Sequence, residues 1–221
     1  MFNRQRSFGL VVALALSSCG ILPPNESPNI YVLPGSATVV PQNSDANAQP
    51  LPWQLRVDTP EATGMLAGAG IVVMPEPGRI TVYTGARWSD SVPVLLRQRL
   101  VDAFLASHRL SAVTSEDDSL HGDYVLDGDL RAFQSEYRNG APVVVIRYDA
   151  QLRRGGSRRL FAARTFEVTQ APSGVTVPQV VQAFGAAADQ LDAQVVAWTL
   201  GEAQRDWQTQ TPAEQSAGTS E

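Results

Sequence analysis

The chain has 221 residues, 43% hydrophobic and 18% charged, with 15 Pro, 17 Gly and one Cys, the balance of a single globular domain. Its 17 basic residues, all Arg, face 22 acids for a formal charge of −5, which disfavours a general electrostatic affinity for nucleic acid. One Cys makes no intramolecular disulfide and no Cys/His set has metal-ligand spacing, so structural zinc is excluded and no metal is expected.

Residues 1–18 read as a signal peptide. Arg4 and Arg6 precede an apolar run from Phe8 to Leu16, and small residues follow it. Leu16-Ser17-Ser18-Cys19 resembles a bacterial lipobox, which makes Cys19 the residue of lipid attachment and a covalent acyl lipid the only non-protein group expected. Cleavage there removes two Arg and leaves a formal −7. A triacylated Cys holds a membrane far better than one chain does, because each buried CH₂ contributes about 0.8 kcal/mol. Gly20, rather than Asp, after the Cys resembles lipoproteins exported to the outer membrane of Gram-negative bacteria. Residues 19–52 are rich in Pro, Asn, Ser and Gln, a composition that packs no core. They read as a tether, with one short strand at 30–33 and roughly 30 Å of extended reach before it.

The folded domain is expected over 53–207. Trp53, Leu55 and Val57 alternate with polar residues as in a half-buried strand. Strands at Ile71–Met74 and Arg79–Thr84 follow, joined across Pro75-Glu76-Pro77-Gly78. Asp90–Ser107 carries Val92, Leu96, Leu100 and Phe104 four apart, with Ser89 or Asp90 as N-cap, and predicts an amphipathic helix. Asp123–Phe133 alternates apolar and acidic residues, and Val144–Leu152 with Leu160–Val168 predicts a hairpin turning at Gly155-Gly156. Val177, Val181, Phe184, Ala188, Leu191, Val195 and Trp198 form the most regular seam, opened by a Thr176/Gln179 capping box. A helix laid on the sheet explains that seam better than a coiled-coil partner. Residues 208–221 read as a disordered acidic tail. The pattern predicts a single α+β domain, a mainly antiparallel sheet covered by two long helices.

Candidates for chemistry are few. Only His108 and His121 exist, and no nucleophile elbow, His-Glu-x-x-His or P-loop occurs, so no enzyme is expected. Gly64 to Gly70 precedes a strand instead of following one, which argues against a dinucleotide loop. Asp123, Asp127 and Asp129 share a strand face, a conceivable site for a hard cation but more simply a solvated acidic face. Arg153, Arg154, Arg158 and Arg159 crowd one hairpin end, either as a soluble turn or as a patch for lipid phosphates or an acidic partner.

The segment Tyr83-Thr84-Gly85-Ala86-Arg87-Trp88-Ser89-Asp90-Ser91-Val92-Pro93 resembles the signature of the ABC-type transport auxiliary lipoproteins, which include the paraquat-inducible lipoprotein C type. Tyr31-Val32-Leu33, Asp123-Tyr124-Val125-Leu126 and Arg164-Thr165-Phe166 occur in the family's order, and the resemblance covers roughly residues 30 to 200. It implies an outer-membrane adaptor facing the periplasm, partnered with an MCE-domain protein and its ABC permease and ATPase in lipid transport, with a homo-oligomeric ring as one arrangement. A lipid-binding periplasmic carrier and a structural envelope lipoprotein are the alternatives. Tyr83, Arg87, Trp88 and Asp90 are the candidate partner-binding residues of the signature. Their structural reading is that the aromatics are core and that Arg87 and Asp90 tie the helix to the sheet.

Overall fold

The computed structural model describes residues 27–35, 50–116, 122–157 and 159–215. The leader, Cys19 and Gly20, much of the tether, His121, Arg158 and the last six residues lie outside the described residues. In chain order the elements are β1 (Asn29–Tyr31), β2 (Leu55–Val57), β3 (Gly70–Glu76), β4 (Arg79–Trp88), α1 (Val92–Ala106), β5 (Val113–Ser115), β6 (Tyr124–Arg138), β7 (Ala141–Arg154), β8 (Leu160–Gln170) and α2 (Val177–Gln215).

Turn chemistry builds the hairpins. Pro77-Gly78, with Gly78 at φ 80°, reverses β3 into β4. Asn139 (φ 52°) and Gly140 (φ 80°) give the two left-handed residues of a tight hairpin turn between β6 and β7. β7 then returns as β8 around Gly155-Gly156, and Tyr148 pairs with Leu130 on one side and Phe166 on the other.

The long ladders make the sheet mostly antiparallel, as expected, and the remaining pairings make it mixed. β6 offers its second edge to two strands, β2 alongside Tyr124–Leu126 and β3 alongside Gln134–Glu136, both parallel. β5 joins β2 and β1 joins β4, also parallel. The sheet is therefore mixed, with antiparallel pairing confined to β3–β4, β6–β7 and β7–β8. Alternating residues report that a segment is a strand, whereas direction depends on the connection, and the connections from β2 to β3 and from β5 to β6 bring the chain back in the same sense. The short strand foreseen in the tether at 30–33 is Asn29–Tyr31, a member of this sheet.

α2 lies across β6 to β8, and α1 packs beside it and over β2 and β5. Val181, Phe184, Ala188, Leu191 and Val195 are buried along the seam of α2. Phe184 stacks on Phe133 at 4.9 Å, and Trp198 meets Phe166 edge-on at 5.6 Å. The seam thus packs on the sheet. The helix starts as its capping box predicts, the Thr176 N–H donating to Gln179 Oε1 at 3.2 Å. Its end does not match the disordered tail expected from residue 208, because α2 runs on to Gln215, 39 residues or about 58 Å. Packing carries it past the polar composition: Gln210 Nε2 donates to Asp206 Oδ2 at 2.7 Å and to the Tyr124 hydroxyl at 3.2 Å. At the other helix, α1 begins at Val92 with Ser91 as N-cap, Asp90 lying just outside.

Candidate functional site

The signature occupies the end of β4, the turn after it and the start of α1. Gly85, at φ 69°, lets β4 bulge and continue to Trp88, past the Thr84 end expected from alternation. Trp88 is fully buried, edge-on to Phe184 at 5.3 Å and to Phe133 at 6.0 Å. Its indole Nε1 has no hydrogen-bond partner among the described residues. The Tyr83 hydroxyl, half-buried, lies 3.2 Å from Ser135 Oγ as a hydrogen bond. Arg87 and Asp90 are exposed and do not tie to each other. Arg87 Nε donates to the Trp88 carbonyl at 3.4 Å, and Asp90 Oδ1 accepts the Ser91 N–H at 2.6 Å.

What the signature does hold is the chain's own N-terminal segment. Ala86, Arg87 and Trp88 pair with Asn29, Ile30 and Tyr31 of β1. The Ser89 N–H donates to the Tyr31 carbonyl at 2.8 Å, extending the ladder one residue into the turn. Beyond β1, Leu33 enters the core at 6% exposure. Pro34 lies against Gly185 of α2, where an added Cβ would stand 2.8 Å from the Pro34 Cβ, so glycine permits the contact.

Arg99 of α1 closes this strap. Its Nη1 donates to the Pro34 carbonyl at 2.5 Å, and its Nη2 to Asp189 Oδ1 at 2.6 Å and Asp192 Oδ2 at 2.8 Å. The Asp192 side chain is only 2% exposed, and burial pushes its carboxyl up to about 6 despite the opposing pull of Arg99. Asp192 Oδ1 has no hydrogen-bond partner among the described residues. Sequence reading missed this cluster. Its signal was Arg99 three residues after Leu96, beside the apolar stripe of α1, and two acids flanking Leu191 on α2.

At the arginine-rich hairpin end, Arg153 and Arg154 are held in internal pairs. Arg153 Nε donates to Asp127 Oδ2 at 2.7 Å and its Nη2 to Asp58 Oδ2 at 3.2 Å. Arg154 grips Asp206 of α2 through Nε at 2.9 Å and Nη2 at 2.6 Å. Arg159 is exposed and lines a cleft of about 400 Å³ with Arg154, Ser157, Leu160, Phe161 and Asp206. The acidic face has partners too, with Asp129 beside Arg131 at 3.3 Å and Asp123 Oδ2 accepting the Gln54 N–H at 2.8 Å. Among the described residues no group of three His, Cys, Asp or Glu side chains is disposed to hold a metal ion. His108 sits just past α1 in the left-handed conformation at φ 52°, its N–H donating to the Leu105 carbonyl at 3.1 Å.

These features define a class of protein: an α+β body of one mixed sheet and two helices, strapped across its signature by a segment from earlier in its own chain. A family model described as ABC-type transport auxiliary lipoprotein component matches residues 31–196, and the chain belongs to that family. Protein XCC0632 from Xanthomonas campestris, whose crystal structure carries the family description DUF330, is 33% identical. It superposes with a TM-score of 0.73 over 81% of this chain and 99% of that one. A crystal structure titled only as an uncharacterized protein shares the fold at a TM-score of 0.60 and 18% identity, over 78% of this chain and 98% of its own. Uncharacterized protein bll6063 of Bradyrhizobium diazoefficiens is 28% identical over 163 residues, 72% of this chain. The match spans 43% of that relative's length. No helix among the described residues is long and apolar enough to cross a membrane.

Proposed function

We propose that this auxiliary lipoprotein is a non-catalytic adaptor anchored through acylated Cys19 at the outer membrane, facing the periplasm, where it serves an MCE-type ABC system that moves lipids. The family match supports the transport role. The observation that carries the adaptor reading is the strap: a segment that follows the lipobox is stitched to the signature and clamped between both helices. In a domain held this way, the chain that follows the anchor is fixed to the body from Asn29 onward.

A direct lipid carrier needs an apolar cavity of several hundred Å³. Here the interval between sheet and helices is filled by Trp88, Phe133, Phe166, Phe184 and Trp198, and two clefts of about 400 Å³ among the described residues are lined mainly by charged and polar side chains. The MCE partnership is tested by crosslinking the anchored protein in its own envelope and identifying the attached proteins by mass spectrometry. Recovery of an MCE-domain protein is expected. Recovery of lipid alone, or of unrelated envelope proteins, would overturn the adaptor reading.

A further inference from the structure

Residues 30–33 alternate in burial, so Tyr31 and Leu33 point into the body while Ile30 and Val32 point away from it. Ile30 is 66% exposed and Val32 72%, more than any other exposed large hydrophobic among the described residues. Ile30 pairs with Arg87, and Arg87 with Gly70, so these three share a face. Val82 fills the space that a Cβ on Gly70 would take, which puts it on the same face, and Ile80 two residues away follows it. Val82 and Ile80 are 36% and 45% exposed. Arg87 stands among them, its Nη atoms without a partner among the described residues.

We propose that this face, Ile30 and Val32 of the strap with Ile80, Val82 and Arg87 of β4, rests on the lipid surface of the membrane that holds Cys19. The proposal rests on the lipid-anchored reading above. Chain continuity selects the occupant. Cys19 precedes Ile30 by eleven residues, which extend to at most about 40 Å. The strap does not swivel, because Tyr31, Leu33 and Pro34 are fixed by the signature, the core and Arg99. The exposed apolar side chains of the strap, Ile30 and Val32, are therefore held in a set orientation. Their chemistry suits the bilayer interface, where aliphatic groups sink to the acyl boundary and a guanidinium fork meets phosphate oxygens. Such a patch is small for unaided membrane binding. The anchor supplies the effective concentration that makes a weak second contact persistent.

The test uses the acylated protein in vesicles of phosphatidylethanolamine and phosphatidylglycerol. Because Cys19 is the only cysteine, Ile30→Cys, Val32→Cys and Leu160→Cys each offer one free thiol for a nitroxide. Leu160 is 46% exposed and lies on β8, at the opposite side of the sheet. Collision rates with oxygen and with a water-soluble nickel chelate are then compared. At 30 and 32 the ratio of oxygen to nickel collisions is expected to be several-fold higher than at 160, and Arg87→Ser is expected to lower it. Equal ratios at all three positions, in protein whose Cys19 carries acyl label, overturn the membrane face alone. Absence of acyl label at Cys19 overturns the anchor and the face together.

Discussion

Two Arg–Asp clusters pin α2, and they have the same chemistry with opposite electrostatics. Near its middle, Asp189 and Asp192 hold Arg99 of α1 at a site where the Asp192 side chain is only 2% exposed. Fourteen residues further along, about 21 Å, Asp206 holds Arg154 where the arginine side chain is 47% exposed. Burial raises the Asp192 carboxyl to about 6, whereas the hydrogen bond from Arg154 lowers that of Asp206. The difference shows that pairing an acid with an arginine does not by itself favour the charged form. Desolvation decides it at one site, and the direct hydrogen bond at the other. The buried cluster also does more, since its arginine reaches through to the Pro34 carbonyl and so couples both helices to the strap.

Removing the shared cation is the strongest way to break the comparison. Arg99→Ala leaves the carboxylates of Asp189 and Asp192 without their cation and frees Pro34, at a cost of about 3–5 kcal/mol at neutral pH. Urea unfolding should show that loss. Hydrogen exchange should show early opening of residues 29–35 while β6 and β7 stay protected. Uniform acceleration of exchange across the sheet would mean that the strap is not a separable unit.

Neutralising the buried acid sharpens it. A folded-state carboxyl raised from 3.8 to about 6 binds a proton more readily in the folded than in the unfolded chain across that interval. The contribution of Asp192 to stability therefore falls as pH rises from 3.8 through about 6, by about 3 kcal/mol in all. The charged groups acting on Asp192 are Arg99 and Asp102 on α1 and Asp189 on α2, and the two other acids push in the same direction as burial. Asp192→Asn should flatten the pH profile of unfolding free energy over that window, with Asp189 still holding Arg99. A profile unchanged by the substitution would show that the carboxyl titrates as an ordinary one.

Strands and helices were legible because burial is periodic: Trp53, Leu55 and Val57, the four-apart row of α1 and the seam of α2 are all buried or nearly so. The β6–β7 hairpin was announced by Asn139-Gly140, a signal passed over in favour of the more visible Gly155-Gly156. Direction of pairing was not legible, because β2 and β3 share one edge of β6 and nothing local in three-residue Leu55–Val57 states which way its neighbour runs. At the signature, burial of Trp88 and exposure of Arg87 follow from alternation. The pairing of Ala86–Trp88 with a segment 57 residues upstream does not, because such a contact is specified only once the whole sheet exists. Arg99 stayed hidden for a similar reason: its partners lie 90 and 93 residues away, on a helix whose polar flank looks solvated when read alone.

The smallest expected effect belongs to the partly exposed cluster. Asp206 accepts from Arg154, the Tyr124 hydroxyl at 2.9 Å and Gln210, three donors that favour its ionised form. Its folded carboxyl is lowered, so its contribution is present above the ordinary Asp range and disappears as pH falls through the folded value. Solvent screens the arginine end of this pair, although Asp206 itself is 12% exposed, and Asp206→Asn should cost about 1 kcal/mol at neutral pH and nothing in strong acid. The pH dependence is thus opposite in sign to that of Asp192. Unfolding of the single and double Asn variants across the acid range would separate the two. Because the sites are about 21 Å apart with no common partner, their effects should add. Non-additivity would instead mark α2 as a lever through which the far end of the sheet feels the strap.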